Sequence, residues 1–186
     1  MQAAPLLLLV GALQAADAPA WDFTQLMAEL AQVQASSARY SEVRHIAVLQ
    51  KPLALSGALH YVRPSQIEKH QILPFREVIR VNGQQLTVER DGKTRSVTLD
   101  GAPLIAALVE SLRATLAGDG TELERLYAVN VEGAKQRWTL KLNPREVEVA
   151  GIVRSVNISG SGSRISRIEI LEPGGDSSVM TIEEAS

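Results

Sequence analysis

Apolar residues first recur at helical spacing, with Phe23, Leu26, Met27, Leu30 and Val33 on one stripe. That spacing predicts an amphipathic helix reaching Ser36 and Ser37, opened by Asp22 and Gln25 as a capping box. From Tyr40 the period changes to two, and strands are predicted over Ala58 to Arg63, Ser65 to Ile72, Glu77 to Val81, Gln85 to Arg90 and Thr94 to Leu99. Asn82-Gly83 and Asp91-Gly92 supply the hairpin turns. Ile79 and Val81, Leu86 and Val88, and Val97 and Leu99 alternate with charged or hydroxyl residues, so the sheet is expected to be antiparallel and wet on one face.

A second helical block follows Asp100-Gly101, with Pro103 in its first turn, Leu104, Leu108, Leu112 and Leu116 as its stripe, and Gly118 as its end. Thr121 and Glu124 are spaced as a capping box for a short helix through Leu126. Strands are then predicted over Tyr127 to Val131, Arg137 to Leu142, Ile152 to Ile158, Ile165 to Leu171 and Ser178 to Glu183, with Trp138, Leu140 and Leu142 sharing a face. With no internal repeat and no low-complexity linker, residues 21–186 are expected to form one α+β domain of about eleven strands.

Within this series the stretch from Ser56 to Ser65 stands out, because Gly57, Leu59, Tyr61 and Arg63 share one face of the strand. An apolar surface thus ends in a guanidinium that keeps its charge, which suits a hydrophobic cavity with a polar latch. The candidate lining is Leu59, Tyr61, Ile79, Val81, Leu86, Val88, Leu104, Leu108, Leu112, Trp138 and Leu140, with Arg63 as the latch, expected to donate to carbonyls near the Asp100 to Leu104 helix entry. The same alternation also describes a packed core, and Arg63 also fits a strand end with its guanidinium in water. Aromatic residues make up only 4% of the chain, so a cavity would be aliphatic and suited to acyl chains.

Nineteen basic against 21 acidic residues give no strong field, which argues against nucleic acid or a polybasic membrane face. The run Ala4 to Leu13 has the length of a signal-peptide core and is followed by small residues, so residues 1–20 are expected to be a signal for export, cut near Ala15 and Ala16 or after Ala18-Pro19-Ala20. The chain contains no Cys, hence no disulfide and no site for lipid anchoring. His45, His60 and His70 lack metal-ligand spacing, and Gly160-Ser161-Gly162 lacks the setting of a nucleophile elbow. The isolated glycines form no phosphate loop, and Glu122, Glu124, Glu183 and Glu184 read as solvated. No enzyme, metal or cofactor is expected.

The order of elements, together with Ala38-Arg39-Tyr40-Ser41-Glu42, Gly57 to Pro64, the Asn82-Gly83 turn, Trp138-Thr139-Leu140 and Ser178 to Ile182, resembles the periplasmic outer-membrane lipoprotein carrier family, LolA, and its shorter relatives. The resemblance covers Phe23 to Glu183. It implies a strongly curved antiparallel sheet, an incomplete β-barrel, lidded by the two helical blocks around a lipid-binding cavity, with Arg63 at the family's latch position. The chain departs from the family in having Ile67, Glu68 and Lys69 where an aromatic pair is usual, and in ending soon after Ile182. The implied activity is that of a monomeric periplasmic carrier of a lipid, a lipoprotein or an aryl polyene-type product, moving between an inner-membrane donor and an outer-membrane acceptor with no stable anchor of its own. The rival readings are a sensor or scaffold of the same fold with a packed interior that binds a protein, and, third, an esterase.

Overall fold

The computed structural model describes residues 21–184, so the expected signal segment lies outside the described residues. Helix α1 (Phe23–Leu30) leads into β1 (Ala35–His45), β2 (Leu53–Val62), β3 (Gln66–Leu73), β4 (Glu77–Asn82), β5 (Gln85–Arg90) and β6 (Lys93–Thr98). A 3-10 turn (Leu99–Gly101) opens α2 (Pro103–Ala117), then α3 (Gly120–Leu126), β7 (Tyr127–Ala134), β8 (Arg137–Pro144), α4 (Val147–Ala150), β9 (Ser155–Ser161), β10 (Arg164–Leu171) and β11 (Ser177–Glu184).

All 11 strands form one antiparallel sheet in the order β6-β5-β4-β3-β2-β1-β11-β10-β9-β8-β7. The chain therefore makes two meanders and stitches them together by pairing its first strand with its last, from Ala38 opposite Glu184 to His45 opposite Ser177. Strands β6 and β7 remain at the two edges, so the barrel is not closed.

The capping box of α1 is present in both directions, the Gln25 amide donating to Asp22 Oδ1 at 2.8 Å and the Asp22 amide to Gln25 Oε1 at 3.3 Å. The helix stops at Leu30, earlier than its apolar spacing predicts, because Ala35 to Ser37 pair with Val62 to His60. Sheet hydrogen bonds win there over a Ser-Ser pair of weak helix propensity. The cap of α3 is Asp119, whose carboxylate accepts from the Glu122 amide at 3.0 Å, and not Thr121. Strand β9 begins at Ser155 because the Ile152 and Val153 amides still donate to Val149 O, extending the α4 turn.

The main core packs Leu26, Met27 and Leu30 of α1 and Leu123 and Leu126 of α3 onto Tyr127, Trp138, Leu140, Leu142 and Ile158. Gly160 lies opposite Trp138 in the register, and a Cβ there would stand 2.6 Å from Trp138 Cζ2 and 2.1 Å from Arg164 O. The indole fits only because the residue beneath it has no side chain, and its Nε1 then donates to Gly162 O at 2.9 Å. A second, smaller cluster joins Val81, Leu99 and Val109, with Ile67, Leu86 and Ala106 around it.

Candidate functional site

Residues opposite one another in antiparallel strands share a face, so the register sorts the inner face of β1–β6 into rows. One row reads Tyr61, Ile67, Val81, Leu86 and Val97. The next reads Ala38, Leu59, Lys69, Ile79, Val88 and Arg95, and the one beyond it Tyr40, Gly57, Gln71, Glu77, Arg90 and Lys93. The first row ends under α2, where Val109 and Ala106 complete the smaller cluster. The other helices pack elsewhere, α1 and α3 on β7 and α4 on β8.

Six of the candidate lining residues, Leu59, Tyr61, Ile79, Val81, Leu86 and Val88, come together on this inner face. Leu59, Ile79, Leu86 and Val88 are half-buried, while Tyr61 and Val81 are buried. Trp138 and Leu140 lie on the same sheet but under α1 and α3, buried in the main core. Helix α2 turns Ala106, Val109 and Arg113 toward the β4–β5 hairpin and leaves Leu112 37% exposed, with Leu108 half-buried. The side chain of Leu104 lies outside the described residues. Two shallow depressions, of about 370 and 280 Å³, lie along β8–β10 and β9–β11, and of the candidate lining only Trp138 borders either one.

Arg63 follows directly on β2, and its Nη1 donates to Ala31 O at 2.7 Å. Its target is therefore the C-terminus of α1, not the Asp100 to Leu104 entry of α2, because pairing of Ala35 with Val62 brings the α1–β1 connection alongside. The Arg63 amide donates to Gln34 O in the same place. Gly118 presses on this point from the other side: its φ is +67°, and a Cβ would stand 2.2 Å from Met27 O and 2.6 Å from the Ala31 nitrogen. Ala31, the C-cap of α1, thus meets both Arg63 at the end of β2 and the end of α2. Arg113, which sequence reasoning did not single out, ties α2 to the β4–β5 turn by donating to Gly83 O, while Glu110 of the same helix accepts from its Nη1 at 2.5 Å.

The inner face also holds a buried carboxylate. Glu42, 2% exposed, accepts from Lys69 Nζ at 2.6 Å, Ser178 Oγ at 2.7 Å and Arg44 Nη2 at 2.9 Å. Burial alone would raise its pKa, but the hydrogen bonds from Lys69 and Ser178 and the charge of Lys69 outweigh burial and hold it below the usual carboxylate value. Lys69 passes 4.8 Å from the centre of the Tyr40 ring. Burial, with Glu42 and Glu77 nearby, pushes the Tyr40 hydroxyl up to about 12.

On the outer face, His60 and His70 meet edge to face with ring centres 5.2 Å apart, bonded to Ser37 and Glu68 respectively. Among the described residues no group of three or more His, Cys, Asp or Glu side chains is placed to hold a metal, and no helix is long and apolar enough to cross a membrane.

A family model described as outer membrane lipoprotein carrier protein, LolA-like, matches residues 15–185. No curated protein sequence matches the chain. Among solved structures, the chain is similar to a LolA superfamily protein from Nitrosomonas europaea, at 10% identity and a TM-score of 0.44 over 90% of this chain and 95% of that one. It is also similar to LprF from Mycobacterium bovis, at 9% identity and a TM-score of 0.32 over 87% and 91% of the two chains. A DUF1329 family protein from Desulfovibrio piger aligns at 9% identity and a TM-score of 0.37 over 87% and 88%.

Proposed function

Since this chain belongs to the LolA-like family of outer membrane lipoprotein carrier proteins, we propose that it takes up a lipid or acylated cargo on the inner face of β2–β5 and carries it across the periplasm toward the outer membrane without chemistry. The observation that carries this reading is the unequal filling of one sheet. Helix side chains cover the core of β7–β9, whereas Leu59, Ile79, Leu86 and Val88 remain half-buried on the other half of the sheet. Aliphatic side chains left partly in water on a sheet face are a favourable surface for an acyl chain.

Arg63 has the mechanical role in this reading. Its bond to Ala31 O holds the end of α1 to the end of β2, and cargo that enters from that side has to displace it. The family's compartment and the apolar stretch Pro5 to Leu13 support export, with residues 21–186 as the single carrier domain.

A fluorescent fatty-acyl probe is expected to bind the purified protein and to be displaced by phospholipid or lipopeptide. Leu59→Glu places a carboxylate among the aliphatic Ala38, Ile79 and Val88 of its row and is expected to weaken binding at unchanged circular dichroism. A folded wild-type protein that takes up no probe contradicts the carrier and leaves a scaffold that binds a protein partner.

A further inference from the structure

The inner face of β2–β5 is apolar toward α2 and ionic toward the opposite strand ends. Its outermost row toward α2 holds Tyr61, Ile67, Val81 and Leu86. Two rows further along the strands the same face holds Tyr40, Gln71, Glu77, Arg90 and Lys93, with Glu42 and Arg44 beyond them on β1. Toward this end the inner face carries the cations Arg44, Lys69, Arg90, Lys93 and Arg95 against the carboxylates Glu42 and Glu77, with Asp91 of the adjoining turn 3.7 Å from Arg90 Nε and the centre of the Phe75 ring 3.8 Å from its guanidinium. The whole chain has fewer basic than acidic residues, so this local excess does not follow from composition.

Several donors at this end are unspent. Lys69 Nζ gives one hydrogen to Glu42, and an ammonium has three to give. Arg44 Nε and Tyr40 Oη are buried and have no hydrogen-bond partner among the described residues. Tyr40 is 3% exposed, and with its hydroxyl held near 12 it stays a donor at neutral pH. Gly57 lies between Tyr40 and Gln71 in its row and puts no side chain onto the face there, since a Cβ would stand 1.9 Å from His70 O. Buried donors without acceptors are costly, and an anionic oxygen beside these cations accepts from them more strongly than a neutral oxygen does, while a cationic group cannot accept at all.

We propose that this end of the face receives an anionic head group, a carboxylate or a phosphate ester, beside Lys69, Arg90 and Lys93, so that a bound amphiphile lies with its acyl chain toward α2. The inference rests on the carrier reading and adds to it a charge class and an orientation.

The test is displacement of a fluorescent acyl probe by four amphiphiles of equal chain length, dodecanoate, dodecyl phosphate, dodecyl maltoside and dodecyltrimethylammonium, each below its micellar concentration. Both anions are expected to displace the probe at about tenfold lower concentration than the maltoside, with the ammonium weakest. The exposed edge-strand double variant Lys93→Gln/Arg95→Gln is expected to reduce the preference to about threefold or less. Inorganic phosphate is expected not to displace the probe. Equal displacement by all four head groups, with probe binding intact, overturns the proposed orientation and leaves the carrier standing. Displacement by inorganic phosphate as effective as by dodecyl phosphate overturns it in favour of a free-anion site. A folded protein that binds neither probe nor amphiphile removes the carrier and this inference together.

Discussion

The two halves of the sheet begin from the same pattern and reach opposite ends. Strand β8 alternates Trp138, Leu140 and Leu142 with polar residues, and these three are 1%, 0% and 2% exposed. Strands β4 and β5 alternate Ile79 and Val81, and Leu86 and Val88, in the same way, yet all but Val81 remain half-buried. The strands do not differ in kind; what lies over them does. Helices α1 and α3 bring Leu26, Met27, Leu30, Leu123 and Leu126 to one half, whereas α2 brings Val109 and Ala106 to one end of the other. At the boundary between the halves stands the Glu42, Lys69 and Arg44 cluster, and a helix laid there would have to strip water from ions that are still partly exposed. The difference teaches that period-two patterning commits a face to burial without saying whether the protein or a ligand will cover it.

The strongest way to break the comparison is to truncate matched residues on the two sides. Leu140→Ala is expected to cost about 2–5 kcal/mol, the range for a fully enclosed leucine, and Ile79→Ala about 1 kcal/mol, because its site is already open on one side. Urea unfolding of both variants measures the gap, and equal losses would make the β2–β5 face a packed core.

Next in size is the boundary itself. Glu42→Gln leaves Lys69 and Arg44 without their counter-charge, at about 2 kcal/mol once the partial exposure of both cations is allowed for. The pH dependence has a definite sign. A carboxyl whose folded pKa is lowered adds stability that is present above the unfolded value of about 4.3 and disappears as pH falls through the folded value. The wild type is therefore expected to lose more stability than Glu42→Gln between neutral pH and the acid range, measured by thermal unfolding at a series of pH values. Parallel curves would take Glu42 out of that role.

The sharpest effect on function belongs to Arg63. A hydrogen bond from a charged donor contributes about 1.5–3 kcal/mol, less where the group is partly in water. Arg63→Leu is expected to load acyl probe as well as or better than wild type and to release it to acceptor membranes about tenfold more slowly, since 1.4 kcal/mol is a factor of ten. Arg63→Lys, without the planar fork, is expected to restore release in part. Equal release in all three would reduce Arg63 to a strand-end residue tying α1 in place.

What was legible in the sequence was local. The Asp22–Gln25 capping box, the Pro103 start and Gly118 end of α2 and the Asn82-Gly83 turn each depend on residues within a few positions of one another, and each appears in the fold. The helix end at Leu30 and the start of β9 were misplaced because strand pairing and the α4 turn decide them, and neither shows as a period. Glu42 was passed over for a physical reason. In Tyr40-Ser41-Glu42-Val43-Arg44 the apolar Val43 is 43% exposed and the charged Glu42 is buried, the reverse of the usual assignment. The available signal was phase: Glu42 and Arg44 run in step with Tyr40, and Lys69 with Ile67, but only the pairing of β1, β2 and β3 brings Lys69 across Gly57 to Glu42. The target of Arg63 was hidden likewise, since it lies 32 residues back along the chain.

The central claim is that cargo occupies the half of the sheet its own helices leave open, and photo-crosslinking with a diazirine-bearing fatty acid tests it directly. Peptide mapping is predicted to place the label on the inner face of β2–β5, at Leu59, Ile79, Leu86 or Val88. Label confined to β7–β9 around Trp138 and Leu140, or to the outer face at His60 and His70, would contradict the account.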